Sequence, residues 1–164
     1  MFATLGVKKE EVWDFVDSYK VHYRKISEEK TVLLKEAKEA VELANKIARL
    51  GVVTTKTTRY SIPLLEKFGL MKYFDTIIGR QEVENPKPHA EPILKALKNM
   101  DAVSHPNCYI VGDTKLDLIS AKNANIKSVG VLCGYGEKDE LCKYTPLIAT
   151  NSLEAIKIII KTIK

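Results

Sequence analysis

Residues 108–117 read Cys-Tyr-Ile-Val-Gly-Asp-Thr-Lys-Leu-Asp. Four apolar or aromatic residues in a row, closed by a glycine, have the length and character of a strand buried on both faces. Gly112 lets the backbone turn sharply after them. From Lys115 to about Ala124 the spacing becomes helical. A buried strand that turns directly into a helix is half of a βαβ unit, in which parallel strands are covered by helices on both faces.

The same alternation recurs outward from that stretch. Downstream, residues 127–132 (KSVGVL) and 146–150 (PLIAT) predict strands, and 152–163 predicts a closing helix. Asn151 or Ser152 suits its cap, with Glu154 in the first turn. Upstream, residues 51–55 (GVVTT) and 75–79 (DTIIG) predict strands. Helices are expected over 62–68, with Pro63 in the first turn where proline is tolerated, and over 90–100. Residues 35–50 predict a strong helix. Residues 10–23 predict another, with Val12, Phe15, Val16, Tyr19 and Tyr23 on one stripe that reads as core and Trp13 as core or helix face. A break is expected over 27–31. The fold class is therefore α/β, a parallel sheet with flanking helices.

A chain of 164 residues, 45% hydrophobic, has the size of one domain with at most a small appendage and can bury a core without disulfides. No apolar run approaches the roughly 20 residues of a membrane span, and the first residues lack the apolar stretch of a signal peptide. A cytoplasmic protein with no membrane partner is expected. Cys108, Cys133 and Cys142 cannot all pair among themselves, so reduced thiols are expected. The net charge is +5, but its lysines alternate with acids along helix faces. Without a concentrated basic patch interleaved with aromatics, no nucleic-acid partner is expected. A modest positive field suits a small anionic substrate.

Ligand chemistry in such folds sits at the carboxyl ends of the strands, and three clusters stand there. Asp113 leaves a strand tip and Asp117 follows four residues later on the same side of the starting helix. Two carboxylates with no histidine or thiol suit Mg²⁺; equally, one could cap the helix while the other is merely exposed. Thr54 and Thr55 end a strand ahead of a helix, where hydroxyls and free N–H groups suit a phosphate; threonine is also an ordinary strand and cap residue. Lys87 lies between Pro86 and Pro88, which restrict its backbone. That suits a lysine held in register for an anion, or simply a rigid linker. His22, His89 and His105 have no ligand-like mutual spacing.

In this order, VVTTK (52–56), FGLMKYFDTIIG (68–79), NPKPHAEPILKAL (85–97), YIVGDTKLDLISAKNANIKSVGV (109–131) and CGYG (133–136) resemble the haloacid dehalogenase-like (HAD) hydrolase superfamily, in its phosphoglycolate phosphatase branch. The similarity covers residues 33–164 and includes the family's second, third and fourth motifs. It implies a Rossmann-like core, Mg²⁺, a small phosphorylated metabolite as substrate, and hydrolysis through a phospho-aspartyl intermediate. Thr54 would bind the transferring phosphoryl group with Thr55 beside it. Lys87 would neutralise phosphate and nucleophile oxygens. Asp113 would ligate Mg²⁺, and Asp117 would support that site directly or through water. Paired aspartates favour a phosphatase over a dehalogenase.

One departure is large. The family's first motif, D-x-D-G-T after an apolar strand, supplies its nucleophile and acid/base, and no D-x-D occurs in these residues. Asp14 and Asp17 are spaced D-x-x-D within a predicted helix. The expectation is a core over 34–164 lacking its first central strand, with 1–33 a remnant of a helical cap and Met1 a formerly internal methionine. A strand and helices of ordinary length amount to on the order of 40–60 residues. Without that strand, two inner edges should stay unpaired or be forced to meet, inviting self-association. Without the nucleophile, the chain alone should be inactive. The alternative is a non-catalytic remnant that binds phosphate or self-associates. Two departures are smaller: Ala90 stands where the family often repeats proline, and Asn125 where it has glycine, a mild change because asparagine tolerates the left-handed region.

Overall fold

A computed structural model describes Gly6, residues 8–102 and residues 107–163. Met1 and His105 lie outside the described residues. The chain divides into two compact units, residues 1–32 and residues 33–164.

The first unit holds a 3₁₀ turn, Lys9–Glu11, and helix α1, Val12–Lys30. The break expected from Ser27 onward falls later, at Thr31, whose N–H still donates to the Ser27 carbonyl at 3.1 Å. Residues 27–30 are Ser-Glu-Glu-Lys, polar but mostly good helix formers, so polarity there does not mark a loop. The expected core stripe is also corrected. Phe15 and Tyr19 are each 47% exposed and Trp13 is 72% exposed. Helical spacing fixes which side chains share a face, while burial depends on what covers that face.

The second unit alternates strand and helix. Its elements are α2 (Ala37–Asn45), β1 (Gly51–Val53), α3 (Thr58–Lys67), β2 (Thr76–Ile78), α4 (Glu91–Asn99) and β3 (Tyr109–Gly112), followed by α5 (Lys115–Asn123), β4 (Lys127–Val131), α6 (Lys138–Leu141), β5 (Ile148–Ala149) and α7 (Ser152–Ile163). Short 3₁₀ turns at Met71–Tyr73 and Arg80–Glu82, together with α6, were not foreseen. Helix α2 is shorter than the 35–50 expected. It starts after Glu36, whose φ of 61° places it in the left-handed region.

Helix α3 starts four residues earlier than expected, so Pro63 lies inside it and not in the first turn. The early start has a local cause. Gln81 Oε1 accepts the Thr58 N–H at 3.2 Å, and the Glu82 carboxylate accepts the Thr58 hydroxyl. Pro63 then forfeits one helical bond, to the Arg59 carbonyl. Helix α7 keeps the predicted bounds: Asn151 Oδ1 accepts the Glu154 N–H at 2.9 Å, and Glu154 accepts the Thr150 N–H at 2.6 Å.

The strands form two parallel sheets. In one, β1 pairs with β2, Val52 opposite Ile77; in the other the order is β3-β4-β5, Val111 opposite Val129 and Val131 opposite Ala149. Among the described residues neither β1 nor β3 has a strand on its second edge. The expected pair of unpaired inner edges is therefore present, and they do not join.

Side chains hold the two sheets together. Ile93 and Leu97 of α4 share one apolar cluster with Ala121 and Ala124, and Val53 of β1 and Ile110 of β3 both pack against it. A second cluster, Ile78, Val83 and Ala96, also takes Val53. The third, Val129, Val131, Ala149, Ala155 and Ile159, seats α7 on β4 and β5. Ile78, Ile93, Leu118, Leu141 and Val129 are the largest fully buried apolar side chains. Each contributes about 1.5–3 kcal/mol relative to exposure.

Candidate active site

At the carboxyl end of β1 the chain leaves the sheet at Thr54, whose N–H still donates to the Ile78 carbonyl at 2.9 Å. The Thr54 hydroxyl accepts the Lys56 N–H at 3.1 Å, which fixes its lone pairs and leaves its proton free to donate. Thr55 is exposed beside it. The first N–H of α3 is taken by Gln81, so the helix start does not offer that donor to an anion. What this strand end presents is the two hydroxyls.

Lys87 arrives on the loop before α4. Its ammonium donates to the Val53 carbonyl at 3.0 Å and to Asp117 Oδ1 at 2.5 Å. Both side chains of the ion pair are 11% exposed. A charge so shielded is costly unless paired and hydrogen-bonded, and both partners here are. The Lys87–Pro88 peptide bond is cis.

The loop is tied at its base by Glu91. The carboxylate accepts the Glu84 N–H at 2.8 Å, and the Asn85 N–H and side-chain amide at 3.0 Å each. Hydrogen bonds from the Asn85 and then the Glu84 backbone, followed by the Asn85 side chain, hold the Glu91 carboxyl below its ordinary pKa.

On β3, Asp113 follows the buried Gly112. Asp113 Oδ2 accepts the Tyr135 N–H at 3.0 Å, drawing the 133–136 loop over the strand end. That loop is cut to fit: a Cβ at Gly134 would lie 2.0 Å from Asp113 Oδ2, and one at Gly136 would lie 2.2 Å from the Asp113 carbonyl oxygen. Asp117, in the first turn of α5, accepts the Thr114 N–H at 3.1 Å and its hydroxyl at 2.7 Å through Oδ2. Asp117 therefore caps its own helix while it pairs with Lys87, and the capping alternative is realised alongside the ion pair.

Lys87, Asp117 and the strand end that carries Thr54 are thus brought together, although 30 or more residues separate Lys87 from either partner. Asp113 stands at the neighbouring strand tip with its carboxylate turned to the Tyr135 loop. Among the described residues no three acidic, histidine or cysteine side chains gather into a metal cluster. His89 serves the loop, its Nδ1 accepting the Glu91 N–H at 3.1 Å. Sequence reasoning missed Glu91, Ser120 and Asn123, which hold the lysine loop. For the last two the signal was their helical spacing from Asp117, which is ordinary for polar residues on a helix.

The chain has known relatives. The haloacid dehalogenase-like hydrolase family model matches residues 1–131. A phosphoglycolate phosphatase of Escherichia coli (strain K12) is 36% identical over 133 residues, covering 80% of this chain and 52% of that protein. One from Colwellia psychrerythraea is 30% identical over 150 residues, covering 90% and 66%. This chain therefore spans between about half and two thirds of these relatives' length. Among solved structures, a predicted phosphoglycolate phosphatase from Haemophilus somnus aligns with a TM-score of 0.83 at 25% identity, covering 93% of this chain and 68% of that one. A haloacid dehalogenase-like family hydrolase from Streptococcus pneumoniae aligns with a TM-score of 0.79 at 26% identity, covering 96% and 73%. Among the described residues no helix is long and apolar enough to cross a membrane. The motif order, the parallel α/β unit with its lysine at the strand ends, and a family match over four fifths of the sequence lead to one assignment: the chain belongs to the haloacid dehalogenase-like hydrolase family.

Proposed function

We propose that these residues form the phosphate-gripping and charge-neutralising part of a Mg²⁺-dependent phosphomonoester hydrolase of the phosphoglycolate phosphatase type. The observation that carries the reading is the Lys87 ammonium, held between the Val53 carbonyl and Asp117 at the mouth of two strand ends. Phosphoryl transfer depends mainly on positioning and on neutralising charge spread over the phosphate oxygens. A small phosphorylated metabolite would meet the Thr54 hydroxyl as a donor, Thr55 next to it, and the Lys87 cation bonded to the Val53 carbonyl just before them.

The donor chemistry fits Mg²⁺. Asp113 has one oxygen bonded to the Tyr135 N–H and its other oxygen to offer, and Mg²⁺ is commonly held by one or two carboxylates completed by water and substrate. Asp113 would hold the ion and Asp117 would support the site directly or through water. When bound, Mg²⁺ supplies further neutralisation of the phosphate oxygens. The protein's own residues orient the ester: Thr54 by its hydroxyl proton, Lys87 by its charge, and Asp117 by keeping that ammonium in place.

The nucleophile of the family's first motif is not among these residues, so hydrolysis requires a carboxylate supplied from beyond them, and the chain alone is inactive. A second reading has one observation in its favour. The second edges of β1 and β3, which no strand covers among the described residues, suit a phosphate-binding, self-associating protein without turnover. The test is phosphomonoester hydrolysis with Mg²⁺, for the chain alone and with an added peptide bearing an apolar strand and D-x-D-G-T. Rescue that disappears in Asp113→Ala supports the hydrolase. Continued silence with concentration-dependent sedimentation supports the second reading. Family-like turnover by the chain alone would refute the need for a carboxylate supplied from beyond these residues.

A further inference from the structure

Helix α5 touches the lysine loop at three residues spaced three apart. Asp117 pairs with the Lys87 side chain, Asn123 Nδ2 donates to the Pro88 carbonyl at 2.9 Å, and Ser120 Oγ donates to the His89 carbonyl at 2.7 Å. Residues 117, 120 and 123 are spaced three apart on α5, so three consecutive loop residues, Lys87, Pro88 and His89, are each held by the same stretch of helix. Ser120 is fully buried. Its hydroxyl donates to a loop carbonyl instead of bonding back to its own helix, the usual alternative for a serine within a helix.

We propose that Ser120 and Asn123 are positioning residues for Lys87. They dock the backbone on its C-terminal side against α5, so lysine and Asp117 meet as a preassembled pair. Glu91 closes the loop on the other side, through Glu84 and Asn85. Among the described residues the lysine is therefore fixed by α5, by Glu91 and by the Val53 carbonyl, with no strand between β1 and β3 contributing. What the lysine does once fixed rests on the hydrolase reading; how it is fixed does not.

The clasp can be tested without turnover. Trace acetylation of the native chain, mapped by mass spectrometry, reports the reactivity of Lys87 against the exposed Lys138. Asn123→Ala, at an exposed position, and Ser120→Ala, at a buried one, should each raise relative Lys87 labelling about fivefold, the opening expected from loss of one ordinary hydrogen bond. Thr145→Val serves as the control, because the buried Thr145 hydroxyl also donates to a distant carbonyl, that of Ser128, at 2.7 Å. It should lower stability and leave Lys87 labelling unchanged. Unaltered Lys87 labelling in both clasp variants, or an equal rise in Thr145→Val, overturns the proposal. If Ser120→Ala fails to fold, Asn123→Ala alone decides it. Titration of the unaltered chain with inorganic phosphate, followed by ³¹P NMR, tests the hydrolase reading separately, so either idea can fail without the other.

Discussion

Gly134 and Asp113 approach so closely that a Cβ on the glycine would sit 2.0 Å from the carboxylate Oδ2 and 2.5 Å from the Asp113 Cβ. No side chain fits there without displacing the 133–136 loop or the aspartate. Gly134→Ala should therefore lower unfolding free energy by about 1–3 kcal/mol, the usual cost of overpacking. Urea denaturation of the two proteins measures it. A difference indistinguishable from zero would mean that the loop can swing away freely and does not confine Asp113.

Lys87 and Asp117 form the most shielded ion pair among the described residues. Removing one partner leaves the other charged and nearly dry. Lys87→Met or Asp117→Asn alone should each cost about 3–5 kcal/mol, whereas the double variant should cost clearly less than the sum. A denaturation cycle over the four proteins gives the coupling; strict additivity would show that the pair does not interact.

Glu91 governs the base of the lysine loop through pH. Its folded pKa lies below the ordinary value because the Asn85 and Glu84 N–H groups, and then the Asn85 side chain, bind the ionised form. A depressed carboxylate contributes stability that is present above its unfolded pKa and is lost as pH falls through the folded one. Acidification below the ordinary carboxylate range should therefore open the loop. ¹³C NMR titration of the Glu91 carboxyl should give a midpoint below that of an unstructured glutamate. Glu91→Gln should remove the acid-dependent part of the loop's shifts.

Asn125 has a φ of 56°, in the left-handed region that asparagine tolerates better than most residues. Asn125→Ala should cost about 1–2 kcal/mol, the penalty for a Cβ in that region, while Asn125→Gly should change stability much less. Equal effects of the two substitutions would remove backbone conformation as the cause.

Much of this architecture was legible in the sequence, for identifiable reasons. The strands Tyr109–Gly112 and Thr76–Ile78 are apolar runs closed by glycine, and such runs leave few alternatives. Lys87 between two prolines, and Asp113 four residues before Asp117, stood out because each is unusual in its own neighbourhood. What escaped notice depends on partners distant in sequence. Pro63 lies mid-helix because Gln81 and Glu82, more than 20 residues away, cap Thr58. Ser120 and Asn123 hold carbonyls 31 and 35 residues back, and no periodicity encodes a side chain's choice of a remote carbonyl. Phe15 and Tyr19 read as core, and Trp13 as core or helix face, because spacing alone cannot say which face is covered.

The two-sheet arrangement has a consequence for local opening. Parallel strands normally share amide-to-carbonyl rungs, so separating them breaks a series of bonds at once. Among the described residues the boundary between β1 and β3 has none, and what crosses it is packed side chains and the side-chain bonds of Lys87, Ser120 and Asn123. It can part in small excursions that leave each sheet intact. Deuterium should therefore reach the outward amides of Val53 and Val111 well before those of β4, which is laddered on both sides.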